Sequence, residues 1–329
     1  MIITQTPLRI SFAGGGTDLA AYYAQREGYV VSTAIDKFVY VIVKERFDDA
    51  IYLNTMKKEI RASVDEIEHE LIRESMRLAG VERGVEVTLL SDIPSEGAGL
   101  GSSSSFTVGL LNAFHVYCGE QVTAEQLAQE ACRIEIDVLG KPIGKQDQYI
   151  AAYGGLRSFR FRRDEAVDVQ RVGLAAKQLR ELDARLHLFF TGRTRKADVI
   201  LSEQKQKTGD RSAELDGIKE LASGVAPALE RGDYDRLGEI LHRNWELKRQ
   251  LASGISDASL DEMYELALSH GALGGKICGA GGGGFLLVYC PLERQERLEK
   301  GMRDYRAMPF RLEPDGSKVI FNYRRDTWK

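Results

Sequence analysis

The stretch Pro94-Ser95-Glu96-Gly97-Ala98-Gly99-Leu100-Gly101-Ser102-Ser103-Ser104-Ser105-Phe106 constrains the fold more than any other part of the chain. It follows an alternating strand pattern, Val85, Val87 and Leu89 against Glu86, Thr88 and Leu90, and precedes an apolar helical run that ends about Gly119. Glycines at alternate positions let backbone N–H groups turn inward together, and a helix beginning at the serines adds its positive dipole end. Strand, glycine loop and helix N-terminus make an anion site suited to phosphate. A flexible Gly/Ser linker has no reason to stand between a strand and an apolar helix. The loop is not a Walker A sequence, because each Gly-Lys of the chain, at Gly140, Gly144 and Gly275, is followed by something other than Ser or Thr.

Two further glycine clusters have chemical neighbours. Gly279-Ala280-Gly281-Gly282-Gly283-Gly284 formally satisfies GxGxxG, but it leads into the strand-like Phe285-Leu286-Leu287-Val288-Tyr289 and leaves no room for a βαβαβ nucleotide half before the C-terminus. A dinucleotide-dependent oxidoreductase is therefore remote, and the loop suits the close approach of another backbone or a substrate. Pro7-Leu8-Arg9-Ile10-Ser11-Phe12-Ala13-Gly14-Gly15-Gly16-Thr17-Asp18 is a strand running into three glycines and a carboxylate.

Charge and length exclude several other classes. Lys and Arg total 45 against 49 Asp and Glu, a net charge of −4, which offers no general field for nucleic acid or an anionic membrane. The N-terminus lacks a basic and apolar leader, and no uncharged apolar run approaches the ~18 residues of a membrane span, so a cytoplasmic, soluble protein is expected. Cys118, Cys132, Cys278 and Cys290 form no CxxC pair and read as reduced, buried thiols. His69, His115, His187, His242 and His270 show no i,i+4 pairing and no carboxylate at ligand spacing, so no all-protein transition-metal site is expected.

The 329 residues suggest about two domains at the usual ~150 residues each. From Ile2 to about Phe161 the chain is strand-rich, with Val39, Val41 and Val43 alternating against Tyr40, Ile42 and Lys44. Ser63-Val64-Asp65-Glu66 has the form of a capping box and predicts a helix carrying Ile67, Leu71 and Leu78 that stops at Gly80. Thr123-Ala124-Glu125-Gln126 predicts a second, with Leu127, Ala131, Ile134 and Val138 on one stripe and its end at Gly140-Lys141-Pro142. After about Arg163 a strand at Leu186–Phe190 precedes helical patterns over most of 195–270, with late strands at Phe285–Cys290, near Phe310 and at Val319–Tyr323. Elements grouped in this way favour α+β over a doubly wound sheet, with residues 1–165 and 166–329 as two closely packed domains.

Taken together and in this order, the three glycine segments resemble the signature motifs of the GHMP kinases, and the resemblance covers essentially the whole chain. The Arg9-to-Asp18 version of the first motif has Gly15-Gly16 where galactokinase-type members have Glu-His. With Ile35-Asp36-Lys37, Gly144-Lys145-Gln146-Asp147-Gln148-Tyr149 and Trp245-Glu246-Leu247-Lys248, it looks most like the kinases of D-glycero-D-manno-heptose 7-phosphate. The resemblance implies a two-domain fold, a ribosomal protein S5 domain 2-like N-terminal domain followed by a ferredoxin-like C-terminal one. It implies ATP on Gly97, Ala98, Gly99, Leu100, Gly101, Ser102, Ser103 and Ser104, and Mg²⁺ on Ser103, with Ser102 as the alternative, and Glu135. Asp147 would orient the attacking hydroxyl and Arg9 would offset charge on the transferred phosphoryl group. The acceptor would meet Gly15, Gly16, Thr17, Asp18, Gly281 and Gly282. Taking the packed stripe at 100° per residue puts Glu135 at its edge, able to face a cleft.

The implied reaction phosphorylates O1 of the heptose phosphate, on a route to nucleotide-activated heptose for surface polysaccharide. A homodimer is compatible with it. A free sugar such as fucose or galactose, mevalonate, or a non-catalytic sugar and nucleotide sensor remain alternatives. Thr191-Gly192-Arg193-Thr194-Arg195-Lys196 places three cations between a strand and a helix N-terminus, so Arg193 and Lys196 are candidates for the sugar's own phosphate; a solvated loop is the equal alternative.

Overall fold

The structure, a computed structural model of the chain, describes residues 1–93, 97–195 and 197–323. Pro94, Ser95, Glu96 and the phosphate candidate Lys196 lie outside the described residues.

Eleven strands are described: β1 Ile2–Ala13, β2 Gly28–Glu45, β3 Ile51–Asn54, β4 Lys58–Arg61, β5 Val85–Ser91, β6 Leu156–Phe161, β7 Val167–Arg171, β8 Leu186–Phe190, β9 Gly274–Ile277, β10 Phe285–Tyr289 and β11 Lys318–Asn322. The larger sheet runs β11-β1-β2-β5-β3-β4, with β6 pairing the first part of β2 and β7 pairing β6. Along β1 the alternation places Leu8, Ile10 and Phe12 in the core and leaves Arg9 and Ser11 on the opposite side of the strand. The helix Ser102–Cys118 is buried almost all round and lies on β1 and β2. Gly109 permits that approach, since a Cβ there would stand 2.8 Å from Thr6 Oγ1. Thr4 Oγ1 fills the same gap by donating to the Gly109 carbonyl at 2.9 Å.

The second layer has the order β8-β10-β9, all antiparallel. On the free side of β8, Ala307 bridges Phe189, with Phe190 N–H donating to Arg306 O and Met308 N–H to Leu188 O. The fourth strand of a ferredoxin-like sheet is thus reduced to one bridge, and the spatial order 4-1-3-2 is kept. The helix Ser212–Glu230 touches β1 and β2 as well as its own layer, and one apolar core runs through Val225, Leu229 and Ile240 into Leu8, Ile10 and Phe12.

Several local expectations change in the structure. The Ser63 box opens only a 3₁₀ turn, Val64–Glu66; Ile67 then turns extended to bury its side chain, and the helix is Glu70–Ala79, capped by the His69 ring and ended at Gly80 with φ of 70°. Thr123 does cap Ala124–Cys132, but the chain continues as a π-helical turn, Arg133–Val138, with Leu139 N–H donating to Ile134 O. This wider turn sends Val138 outward and draws Glu135 fully inside. No strand forms near Phe310; that segment crosses between the sheets, bridging at Ala307 and Leu312. Residue 165 lies in the turn of the β6–β7 hairpin, so β7 stays with the first sheet, and β11 returns to pair β1. His115 lies between Glu120 at 3.0 Å and Glu130 at 2.7 Å, and His242 is 3.5 Å from Glu246 one helical turn on, an i,i+4 carboxylate that corrects the expectation of none at such spacing.

Candidate active site

One cleft of about 280 Å³ gathers the three glycine segments and the Asp147 segment. The phosphate loop is tied to β1 by Arg9 N–H donating to Leu100 O at 3.0 Å. Gly97, Gly99 and Gly101 all have positive φ, the left-handed conformation that costs other residues energy. Close contact adds a second requirement: a Cβ on Gly99 would stand 2.6 Å from Cys278 O, and one on Gly279 would stand 2.6 Å from the Gly99 Cα. The second and third glycine loops therefore meet backbone to backbone. Gly101 serves as the N-cap of the helix Ser102–Cys118 without any side-chain cap, so the first-turn N–H groups are left for a ligand.

Below this loop Arg9 donates Nε to Asp147 Oδ1 at 2.8 Å, Nη2 to Oδ2 at 2.5 Å and Nη1 to Gly99 O at 2.7 Å. A Cβ on Gly101 would press on Arg9 Cγ at 3.2 Å, so glycine helps the loop lie over the ion pair. Burial alone would lower the Arg9 guanidinium, but the Asp147 charge and hydrogen bonds outweigh it and hold it above its ordinary range. Asp147 sits in the first turn of the helix Gln146–Tyr153. Asp18 fastens that helix, accepting from Gln146 N–H at 3.2 Å and from Gly16 N–H at 2.9 Å, and its carboxyl is raised chiefly by burial. Gly144 makes room for it, since a Cβ there would lie 2.0 Å from Asp18 Oδ2.

Glu135 stands behind the serines. Its Oε1 accepts from Ser103 Oγ at 2.8 Å and its Oε2 from Gln148 Nε2 at 2.7 Å, and burial raises its carboxyl against the pull of Lys141. Ser102 Oγ, Ser11 Oγ and Gln146 Oε1 are buried without a hydrogen-bond partner, an arrangement that a polar ligand in the cleft would complete.

Arg9, Gly15, Gly16, Asp18, Gly97, Ala98, Gly99, Gly101, Ser102, Ser103, Ser104 and Asp147 line the cleft. Leu100 is instead in the core, and Thr17 Oγ1 is engaged with the main chain of Gly14 and Tyr29. Gly281 and Gly282 face the second layer at Ile255 and Ile200, while Gly279 and Ala280 of the same loop reach the cleft. Arg193 is not among the lining residues; its Nη2 donates to Asp257 Oδ2 at 2.5 Å.

Two residues that line the cleft have no role assigned from the sequence: Lys276, and Lys248, which enters only within the segment Trp245–Lys248. Lys248 Nζ donates to Ile277 O at 3.2 Å and to Gly279 O, and Lys276 Nζ donates to Ser11 O at 2.9 Å. Burial, with each other's charge adding for Lys248, pushes Lys248 well below its usual range and Lys276 down to about 8. The available signal was an ammonium group in the otherwise apolar strand Gly274–Ile277, directly ahead of the third glycine cluster.

Family models for the GHMP kinases N terminal domain and the GHMP kinases C terminal match residues 61–155 and 225–306. A D-glycero-alpha-D-manno-heptose 7-phosphate kinase of Campylobacter jejuni is 32% identical over 316 residues, covering 92% of this chain and 93% of that one. The crystal structure of a D-glycero-D-manno-heptose 1-phosphate kinase from Bacteroides thetaiotaomicron superposes with a TM-score of 0.82 at 25% identity, over 98% of this chain and 100% of that one. Methanococcus jannaschii mevalonate kinase shares the fold, with a TM-score of 0.72 at 22% identity over 94% and 98% of the two chains. Fold and cleft together define a small-molecule kinase that transfers phosphate to a hydroxyl group. The chain belongs to the GHMP kinases, and membership implies ATP as donor. Among the described residues no helix is long and apolar enough to cross a membrane.

Proposed function

We propose that this kinase phosphorylates O1 of D-glycero-D-manno-heptose 7-phosphate to the 1,7-bisphosphate, supplying nucleotide-activated heptose for surface polysaccharide. The observation that carries the reading is the Arg9–Asp147 pair held beneath the phosphate loop, where a hydroxyl and a γ-phosphate would meet. The name of the Campylobacter relative supports the choice of acceptor.

The phosphate loop and the N-terminus of Ser102–Cys118 hold the nucleotide phosphates. Asp147 orients the anomeric hydroxyl and accepts its proton as O1 bonds to the γ-phosphorus and the bond to the β,γ-bridging oxygen breaks, releasing ADP. Arg9 keeps the Asp147 carboxylate in one plane and offsets charge on the transferred group. Ser103 Oγ and Glu135 Oε1 lie 2.8 Å apart, close enough to share one cation, and a hard ion that keeps waters and phosphate oxygens needs few protein ligands. When bound there, Mg²⁺ would neutralise the charge of the β- and γ-phosphates.

The test is ADP release from Mg-ATP against heptose 7-phosphate, fucose, galactose and mevalonate, with Asp147→Asn as control. Turnover confined to the heptose phosphate and lost in the control is expected. Turnover with a free sugar or mevalonate would replace the acceptor, and nucleotide binding without turnover on any acceptor would point to a sensor.

A further inference from the structure

Buried ammonium groups need a counter-charge or a full set of hydrogen bonds. Among the described residues Lys248 and Lys276 find neither. Each is less than a tenth exposed, and each donates only to main-chain carbonyls, leaving one N–H on Lys248 and two on Lys276 by simple count. The nearby carboxylates are engaged elsewhere: Asp147 by Arg9, Asp18 by the amides of Gly16 and Gln146, Glu135 by Ser103 and Gln148. Both lysines line the cleft and each feels the other side of it: Lys276 senses Asp18 of the first glycine segment, and Lys248 senses Asp147. The nucleotide phosphates already have the phosphate loop and the uncapped N-terminus of the helix Ser102–Cys118.

We infer that Lys248 and Lys276 form the subsite for the acceptor's own phosphate and make the enzyme select a phosphorylated over an unphosphorylated sugar. The inference rests on the proposed sugar-phosphate reaction. It moves the task from the Arg193 loop to two side chains of the second layer, one from the end of the helix Tyr234–Lys248 and one from β9. A neutral sugar would leave two buried amino groups short of partners; a phosphate dianion would favour their charged form and answer both with charge-assisted hydrogen bonds.

The test uses the full chain with Lys248→Met and Lys276→Met, singly and together, assayed with Mg-ATP against heptose 7-phosphate and the dephosphorylated heptose. The preference for the phosphorylated acceptor, as the ratio of kcat/KM values, should fall about tenfold or more in each single variant, while KM for ATP moves less than about threefold. Inorganic phosphate should compete with the acceptor in the unmodified enzyme and lose about tenfold in potency in the variants. A parallel loss on both acceptors, or an equal rise in KM for ATP, would assign the lysines to the transferred phosphoryl group and overturn the inference. Should a Met variant fail to fold, Lys→Arg at the same position keeps a cation and should retain the preference; loss of preference there with intact folding would also count against it. If the unmodified enzyme uses heptose 7-phosphate but the variants keep their preference, only this inference fails; if it prefers the dephosphorylated sugar, the proposed function fails first.

Discussion

Arg9 and Asp147, in the second half of β1 and the first turn of the helix Gln146–Tyr153, are locked by two parallel hydrogen bonds of 2.8 and 2.5 Å, with the third arm of the guanidinium on the Gly99 carbonyl. The fork fixes the carboxylate plane and couples it to the phosphate loop, so the group that would orient the acceptor and the loop that would hold the donor form one rigid unit. Arg9 is almost fully buried while Asp147 retains partial access to the cleft, which is the asymmetry a positioning cation and a proton-accepting carboxylate require.

Asp147→Asn keeps the shape and removes the proton acceptor. Steady-state assays should show kcat lowered by ~10²–10⁴, with KM for ATP little changed. Turnover near the normal rate would exclude Asp147 from this role.

Glu135→Gln retains the hydrogen bond to Ser103 in outline but removes the charge for a cation. The Mg²⁺ concentration for half-maximal activity should rise by about tenfold or more, and calorimetric binding of Mg²⁺ in the presence of ADP should weaken in step. Unaltered Mg²⁺ affinity would mean that Glu135 serves only to hold the serine loop.

Gly99→Ala and Gly80→Ala separate backbone strain from close contact. Both positions have φ near 70°, so each change should cost ~1–2 kcal/mol of stability. Gly80 has open space where a Cβ would go, whereas at Gly99 it would meet the Cys278 carbonyl at 2.6 Å. Thermal unfolding should therefore show the larger loss for Gly99→Ala, accompanied by weaker ATP binding, while Gly80→Ala leaves KM for ATP as it was.

Lys276 carries a pH signature because burial lowers its ammonium to about 8 in the company of Lys248, Arg9, Asp18 and Cys278. The charged form binds an anion, so acceptor affinity should be highest below that value and fall as pH rises through it. A sugar phosphate completes its second ionisation near ~6, so the acceptor adds no change of its own above pH ~7. The rise of acceptor KM between pH 7 and 9 should vanish in Lys276→Met; a rise of the same size in that variant would contradict it.

Arg193→Ala probes the loop whose cations pointed to the acceptor phosphate. Arg193 braces Asp257, which caps the helix Ala258–Ser269 by accepting from Leu260 N–H. With both side chains about a third exposed, the stability loss should be ~1 kcal/mol or less, and acceptor KM should stay within about twofold. A tenfold rise in acceptor KM would return the phosphate role to this loop.

What the chain declares locally is legible residue by residue. The glycine loops, the Thr123 cap and the Gly80 stop each depend on one backbone conformation at one position, and only a few residue types satisfy it. Strand alternation in Val39–Val43 and Val85–Leu89 reports the burial of one face in the same direct way. The resemblance to the GHMP kinases rests on those local demands. Other features depend on partners distant in sequence, and no spacing encodes which partner wins. The π turn that brings Glu135 to Ser103 overrides the helical stripe, Asp257 claims Arg193, and β11 leaves its neighbours to pair β1. The meeting of Lys248 with Lys276 belongs to this second group: one comes from a helix and one from a strand of the second layer, and its packing against the first layer decides that both line the cleft.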